Sequence, residues 1–82
     1  MIGYQLPSTA SVHLSIYTLL GSKVITLVSG VQKAGYHHLE WNGRSSRGRM
    51  MPNGWYVYHL NVDGHGLVRR IRKQVPSVEP ML

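Results

Sequence analysis

Three carboxylates, five imidazoles and nine cationic side chains make up the reactive inventory of this 82-residue chain. Acid–base and hydrolytic catalysis need paired carboxylates or a nucleophile with a base and an orienting group. The acids are Glu40, Asp63 and Glu79. Asp63 falls in a turn and Glu79 in a proline-flanked tail, while Glu40 points away from Leu39 and Trp41. There is no cysteine, and the serines lie in loops without a histidine–aspartate pair beside them. The expectation is a protein that is not an enzyme, with no catalytic residues and no cofactor. The histidines are His13, His37, His38, His59 and His65. On a strand, His37 and His38 face opposite ways and do not share an ion easily. His13, His38 and His59 could form a surface site if they lay on the solvent faces of adjacent strands. The simpler reading is exposed imidazoles and no metal.

Seven of the nine cationic side chains fall in two groups. Arg44, Arg47 and Arg49 sit in a glycine-punctuated loop, and Arg69, Arg70, Arg72 and Lys73 sit in the last strand. Alternation puts Arg69 and Lys73 on one face of that strand and Arg70 and Arg72 on the other. A strand charged on both faces is not a central one, because packing on both sides would desolvate the charges. It is expected at a sheet edge, with Arg70 and Arg72 reaching solvent or a partner. Basic residues there discourage edge-to-edge pairing, or they meet an acidic partner. Trp55 opens a strand beside the arginine loop and points away from Tyr56. Tryptophan and arginine are enriched where proteins bind one another. The candidate partner-binding residues are therefore Trp55, Arg44, Arg47, Arg49, Arg69, Arg70, Arg72 and Lys73. A net charge of +6 favours anionic partners. A protein partner is the main expectation. Nucleic acid is the alternative, although the basic–aromatic surface strand of RNA-recognition modules is missing.

The elements that must position these residues repeat with a period of two. Val12, Leu14 and Ile16 alternate with His13, Ser15 and Tyr17, the pattern of a half-buried strand. Strands are also expected at Ile2 to Leu6, Lys23 to Val28, Tyr36 to Trp41, Trp55 to Val62 and Leu67 to Val75. Ser29 and Gly30 read as the end of the third. Residues 42–53 read as a loop, and Asp63-Gly64-His65-Gly66 as a hairpin turn with the favoured Asp-Gly step. No segment has helical periodicity. Six or seven short strands joined by Gly and Pro turns suggest a sandwich or small barrel. Trp41 is expected between the sheets with Leu14, Ile16, Leu39, Tyr56 and Leu60. At least one of Gly43, Gly48 and Gly54 is expected at positive φ.

Leu6-Pro7, Val12 to Tyr17, Gly21, Gly35, Trp41-Asn42-Gly43, Gly48, Pro52-Asn53-Gly54 and Tyr56-Val57-Tyr58 follow one another in a recognisable order. This resembles the bacterial Ig-like domain of the flagellar hook-capping protein. It is also similar to the C-terminal sorting domains of proteins exported by type IX secretion. The likeness covers about residues 2 to 72. Asn42 stands where the family usually has Asp, and either side chain can cap the turn. The resemblance implies an all-β, Ig-like antiparallel Greek-key β-sandwich of about seven strands. It further implies a non-catalytic structural or interaction module, accessory or C-terminal, for sorting or assembly, that packs on a neighbouring domain or subunit. The domain is expected over residues 1–75, with a tail or linker at 76–82. Neither a signal peptide nor an apolar run long enough for membrane insertion is visible. The expected setting is extracellular, cell-surface or periplasmic, within an exported bacterial protein.

Overall fold

The computed structural model describes residues 2–73. Among them are six strands: β1 (Ile2–Leu6), β2 (Ala10–Thr18), β3 (Lys23–Gln32), β4 (Gly35–Leu39), β5 (Gly54–Val62) and β6 (His65–Lys73). They form an antiparallel pair, β1-β4, and a four-stranded antiparallel sheet in the order β3-β2-β5-β6. β1 skips to β4 and β2 skips to β5, so the chain crosses between sheets as a Greek-key sandwich does. The expected architecture holds, with six strands rather than about seven. The tail at 76–82 and the end of the last strand at Gln74 and Val75 lie outside the described residues.

The core follows from alternation on β2. Val12, Leu14 and Ile16 turn inward and are buried, together with Ile2 and Leu6 of β1, Val24 of β3, and Tyr56 and Leu60 of β5. Each large aliphatic side chain removed from water contributes roughly 1.5–3 kcal/mol. The register sets Leu14 opposite Leu60 and Ile16 opposite Tyr58, so the two central strands set core side chains side by side. Ser15 has the outward parity and is nevertheless fully buried. It lies between Thr26 of β3 and His59 of β5, and its Oγ is 3.0 Å from Thr26 Oγ1. That bond offsets the loss of water.

Four expectations change in detail. β3 does not end at Ser29 but runs to Gln32. It absorbs Gly30 at φ 151 and register shifts after Leu14 and Ile16 of β2. β4 ends at Leu39, before Trp41. Trp41 is half-buried rather than enclosed. It meets Tyr56 edge-on with ring centroids 5.0 Å apart, and its indole N–H donates to the Arg44 carbonyl at 2.9 Å. It therefore closes the end of the core and fastens the following loop. Leu39 is likewise partly buried and packs against the core rather than within it.

Candidate functional site

The β5–β6 hairpin is set by its turn. Asp63 (φ 49) and Gly64 (φ 86) both adopt left-handed conformations, the two-residue geometry whose twist suits a hairpin. Val62 and His65 flank it as partners. The tip is tied down twice, since Asp63 N–H donates to the Ser11 carbonyl and Ser11 N–H donates to Asp63 Oδ1, both at 2.9 Å. From that fixed point the register pairs Leu60 with Leu67, His59 with Val68, Val57 with Arg70, Tyr56 with Ile71 and Trp55 with Arg72.

Residues directly opposite in an antiparallel pair project to the same face. Trp55, Val57, Val68, Arg70 and Arg72 therefore share the outer face of the four-stranded sheet. Tyr17 of β2 joins them through its pairing with Val57. Trp55 is half exposed (50%). The guanidiniums of Arg70 and Arg72 lie over its ring, 5.9 and 5.7 Å from the centroid, within the range of cation–π attraction. The result is a flat aromatic surface rimmed by two cations, with Val68 (61% exposed) beside it on the edge strand. Gly66 keeps this face open near the turn, because a Cβ there would crowd His59 Nε2 at 2.8 Å.

The arginine loop is a separate structure. Ser45 N–H donates to the Arg49 carbonyl, Gly48 N–H to the Ser45 carbonyl and Met51 N–H to the Gly43 carbonyl, at 2.8–2.9 Å. Asn42 Oδ1 accepts from Arg44 N–H at 3.0 Å, the turn-capping role expected of it. Ser46 N–H donates to the Val24 carbonyl at 3.0 Å, anchoring the loop to β3. Gly43, Gly48 and Gly54 all have positive φ, at 81, 79 and 144, as the spacing required of at least one. At Gly43 a side chain would run into Cε of Lys73.

The sequence candidates divide accordingly. Trp55, Arg70 and Arg72 come together on one face. Arg44 is exposed, but its Nη1 donates to the Gly48 carbonyl at 2.8 Å and braces its own loop. Arg47 and Arg49 are exposed and line a shallow, open cleft with Ser45, Gly48 and Met51. They are not assembled with Trp55, which stacks with the strand arginines instead. Arg69 is exposed on the opposite face of β6, across from Tyr58. Lys73 departs most from expectation. It is 8% exposed; its stem packs over Gly43, and its Nζ donates to Asn53 Oδ1 at 3.0 Å. That charge is held inside by a hydrogen bond and helps close the loop.

Val57, Val68 and Tyr17 also belong to the outer face. Alternation already groups Val57 with Trp55 and Val68 with Arg70 and Arg72; only the strand register joins the two sets and adds Tyr17. The histidines are dispersed. His13 and His59 are on the four-stranded sheet and His38 is on β4 of the other, so the three do not lie on adjacent strands. Among the described residues no three of His, Asp or Glu gather into a metal-binding group. The Tyr4 phenol is pushed up by burial, against the opposing effect of its hydrogen bond to Gln32. Tyr4 sits on β1, away from the hairpin face. No helix among the described residues is long and apolar enough to cross a membrane.

Comparison with known proteins fits this geometry. No curated protein matches the chain at a significant level. Among solved structures, FlgD from P. aeruginosa superposes with a TM-score of 0.60 at 28% sequence identity. The superposition covers 83% of this chain and 55% of that one, so the present chain spans about half the length of that FlgD. The FlgD Ig-like domain profile matches residues 1–65, up to the first residue of β6. With the two-sheet architecture, the Trp-Asn-Gly loop and the profile in agreement, the chain belongs to the FlgD Ig-like domain family.

Proposed function

We propose that this domain is a non-catalytic structural and interaction module of an exported bacterial protein, of the kind used in flagellar hook assembly. It packs on a neighbouring protein domain or subunit through the outer face of the β5–β6 hairpin. The observation that carries this reading is the half-exposed Trp55 beneath Arg70 and Arg72 on an edge hairpin. An exposed tryptophan with two guanidiniums is the composition of a binding hot spot. Membership in the FlgD Ig-like family supports a hook-cap or similar assembly as the setting; a place outside the cytoplasm is part of the proposal. A role as a type IX sorting domain has no comparable support from the comparisons.

The test is association of the full parent protein with its own subunits and with flagellar hook and cap proteins, by pull-down and sedimentation. Replacing Arg70 and Arg72 by Ser should abolish association while leaving the far-ultraviolet circular dichroism unchanged. Unaltered assembly with increased aggregation would mean that the charges only protect the edge. A gel shift with nucleic acid, strong at low salt and lost steeply as salt rises, would favour the nucleic-acid reading instead.

A further inference from the structure

Among the described residues β6 is paired on one side only, and the hairpin fixes which of its backbone groups are left unpaired by β5. In a two-residue hairpin the residues flanking the turn exchange both hydrogen bonds, and bonded and non-bonded pairs then alternate along the ladder. Starting from Val62–His65, the bonded pairs are Leu60–Leu67, Tyr58–Arg69, Tyr56–Ile71 and Gly54–Lys73. Gly66, Val68, Arg70 and Arg72 therefore aim their N–H and C=O away from β5, toward the open edge. Three of these four carry the outer-face side chains described above. The same residues offer free ladder positions and the aromatic–cationic surface.

We infer that this edge accepts an extended protein segment as an added strand, with acidic side chains at two alternate positions facing Arg70 and Arg72. This rests on the interaction-module reading and names the partner's chemistry. Main-chain bonds would supply the pairing and alternate side chains the specificity, as in strand addition generally. Carboxylates opposite Arg70 and Arg72 can be held in bidentate fashion. An apolar residue two positions further would lie over Val68. The chain itself cannot supply the acids from its described residues. These include only Glu40 and Asp63, and Asp63 is bonded to Ser11 at the far end of the hairpin. A second copy is the wrong electrostatic match, because each carries +6 and like charges placed side by side repel.

The experiment is a titration of the full chain, followed by amide NMR and hydrogen exchange, with a short peptide alternating glutamate and threonine. Shifts and slowed exchange confined to Gly66, Val68, Arg70 and Arg72 are expected. Affinity should fall about tenfold or more when Arg70 and Arg72 become Ser, and should weaken as salt rises. Arg70→Lys with Arg72→Lys should recover part of it, which controls for any loss of folding in the Ser variant. Equal binding of a lysine–threonine peptide would overturn the inference, as would unchanged β6 amides or edge pairing between copies. An oligothymidylate that protects the same amides more strongly would also overturn it, in favour of nucleic acid. If the parent's subunits bind this face but the glutamate peptide does not, the acidic-strand inference fails alone. If neither binds, the module reading fails with it.

Discussion

At the residue scale, glycines and aromatic rings near the Trp41 loop decide whether the end of the sandwich closes. Gly43 and Gly48 share a left-handed φ but differ in surroundings. A Cβ at Gly43 collides with the buried Lys73 stem, whereas one at Gly48 meets nothing within 4 Å. Gly48→Ala should cost only the left-handed conformation, about 1–2 kcal/mol. Gly43→Ala should cost more, because it also displaces Lys73 from Asn53. Urea midpoints of the two variants give the order, and equal losses would contradict the packing. Trp41→Ala should destabilise by about 3 kcal/mol, at the low end for a tryptophan truncation because the ring is half-exposed. Trp41→Phe should keep the edge contact with Tyr56 and lose mainly the bond to the Arg44 carbonyl, about 1 kcal/mol. Alternation made Leu14, Ile16, Tyr56 and Leu60 readable as core from the sequence. It misplaced Ser15, since a small outward residue on a central strand is covered by its neighbours across both ladders. It misjudged Lys73 too, because nothing local announces that a lysine stem will lie over a glycine thirty positions earlier.

At the scale of elements, the strands were legible because each is a short alternating run, and their ends were not. β3 continues through Gly30 because β2 pairs with it to Gln32, and ladder bonds outweigh a poor local propensity. The hairpin turn was legible in Asp63-Gly64, but it is two residues long where four were expected, and His65 and Gly66 open β6 instead; the edge position of β6 was legible from charge on both of its faces. The neighbour of Trp55 was not, because register is a property of two strands. The alternation of ladder bonds yields a sharp contrast. Proline at Leu67 removes an N–H bonded to Leu60 and should unfold the hairpin at a cost of about 3 kcal/mol or more. At Val68 the N–H faces the open edge, and edge positions of this kind tolerate proline. Thermal melts should therefore separate Leu67→Pro from Val68→Pro clearly. A reversed order of melting temperatures would mean that the two residues have exchanged ladder roles, and similar ones would contradict the alternation.

The whole molecule carries +6 on a single small sandwich, and self-repulsion of that kind destabilises a compact state. Raising ionic strength from about 10 to 150 mM shortens the screening length to about 8 Å. The melting temperature should climb by about 2–4 °C, the equivalent of about 0.5 kcal/mol in a domain this small. A fall would mean that attractive charge pairs dominate. The class of the fold was readable because one period runs through the chain; the layering was not, because it depends on which strands skip their neighbours. The unequal settings of the two tryptophans have one more consequence. Trp41 stands edge-on to Tyr56, while Trp55 is half in water beneath two guanidiniums, so the chain has two optical reporters with opposite tastes in ions. Iodide should gather at the guanidiniums and quench the emission of Trp55, while caesium, a cation, should be kept away. Occupation of that face by another protein should remove the iodide-sensitive light and leave the Trp41 signal to report folding.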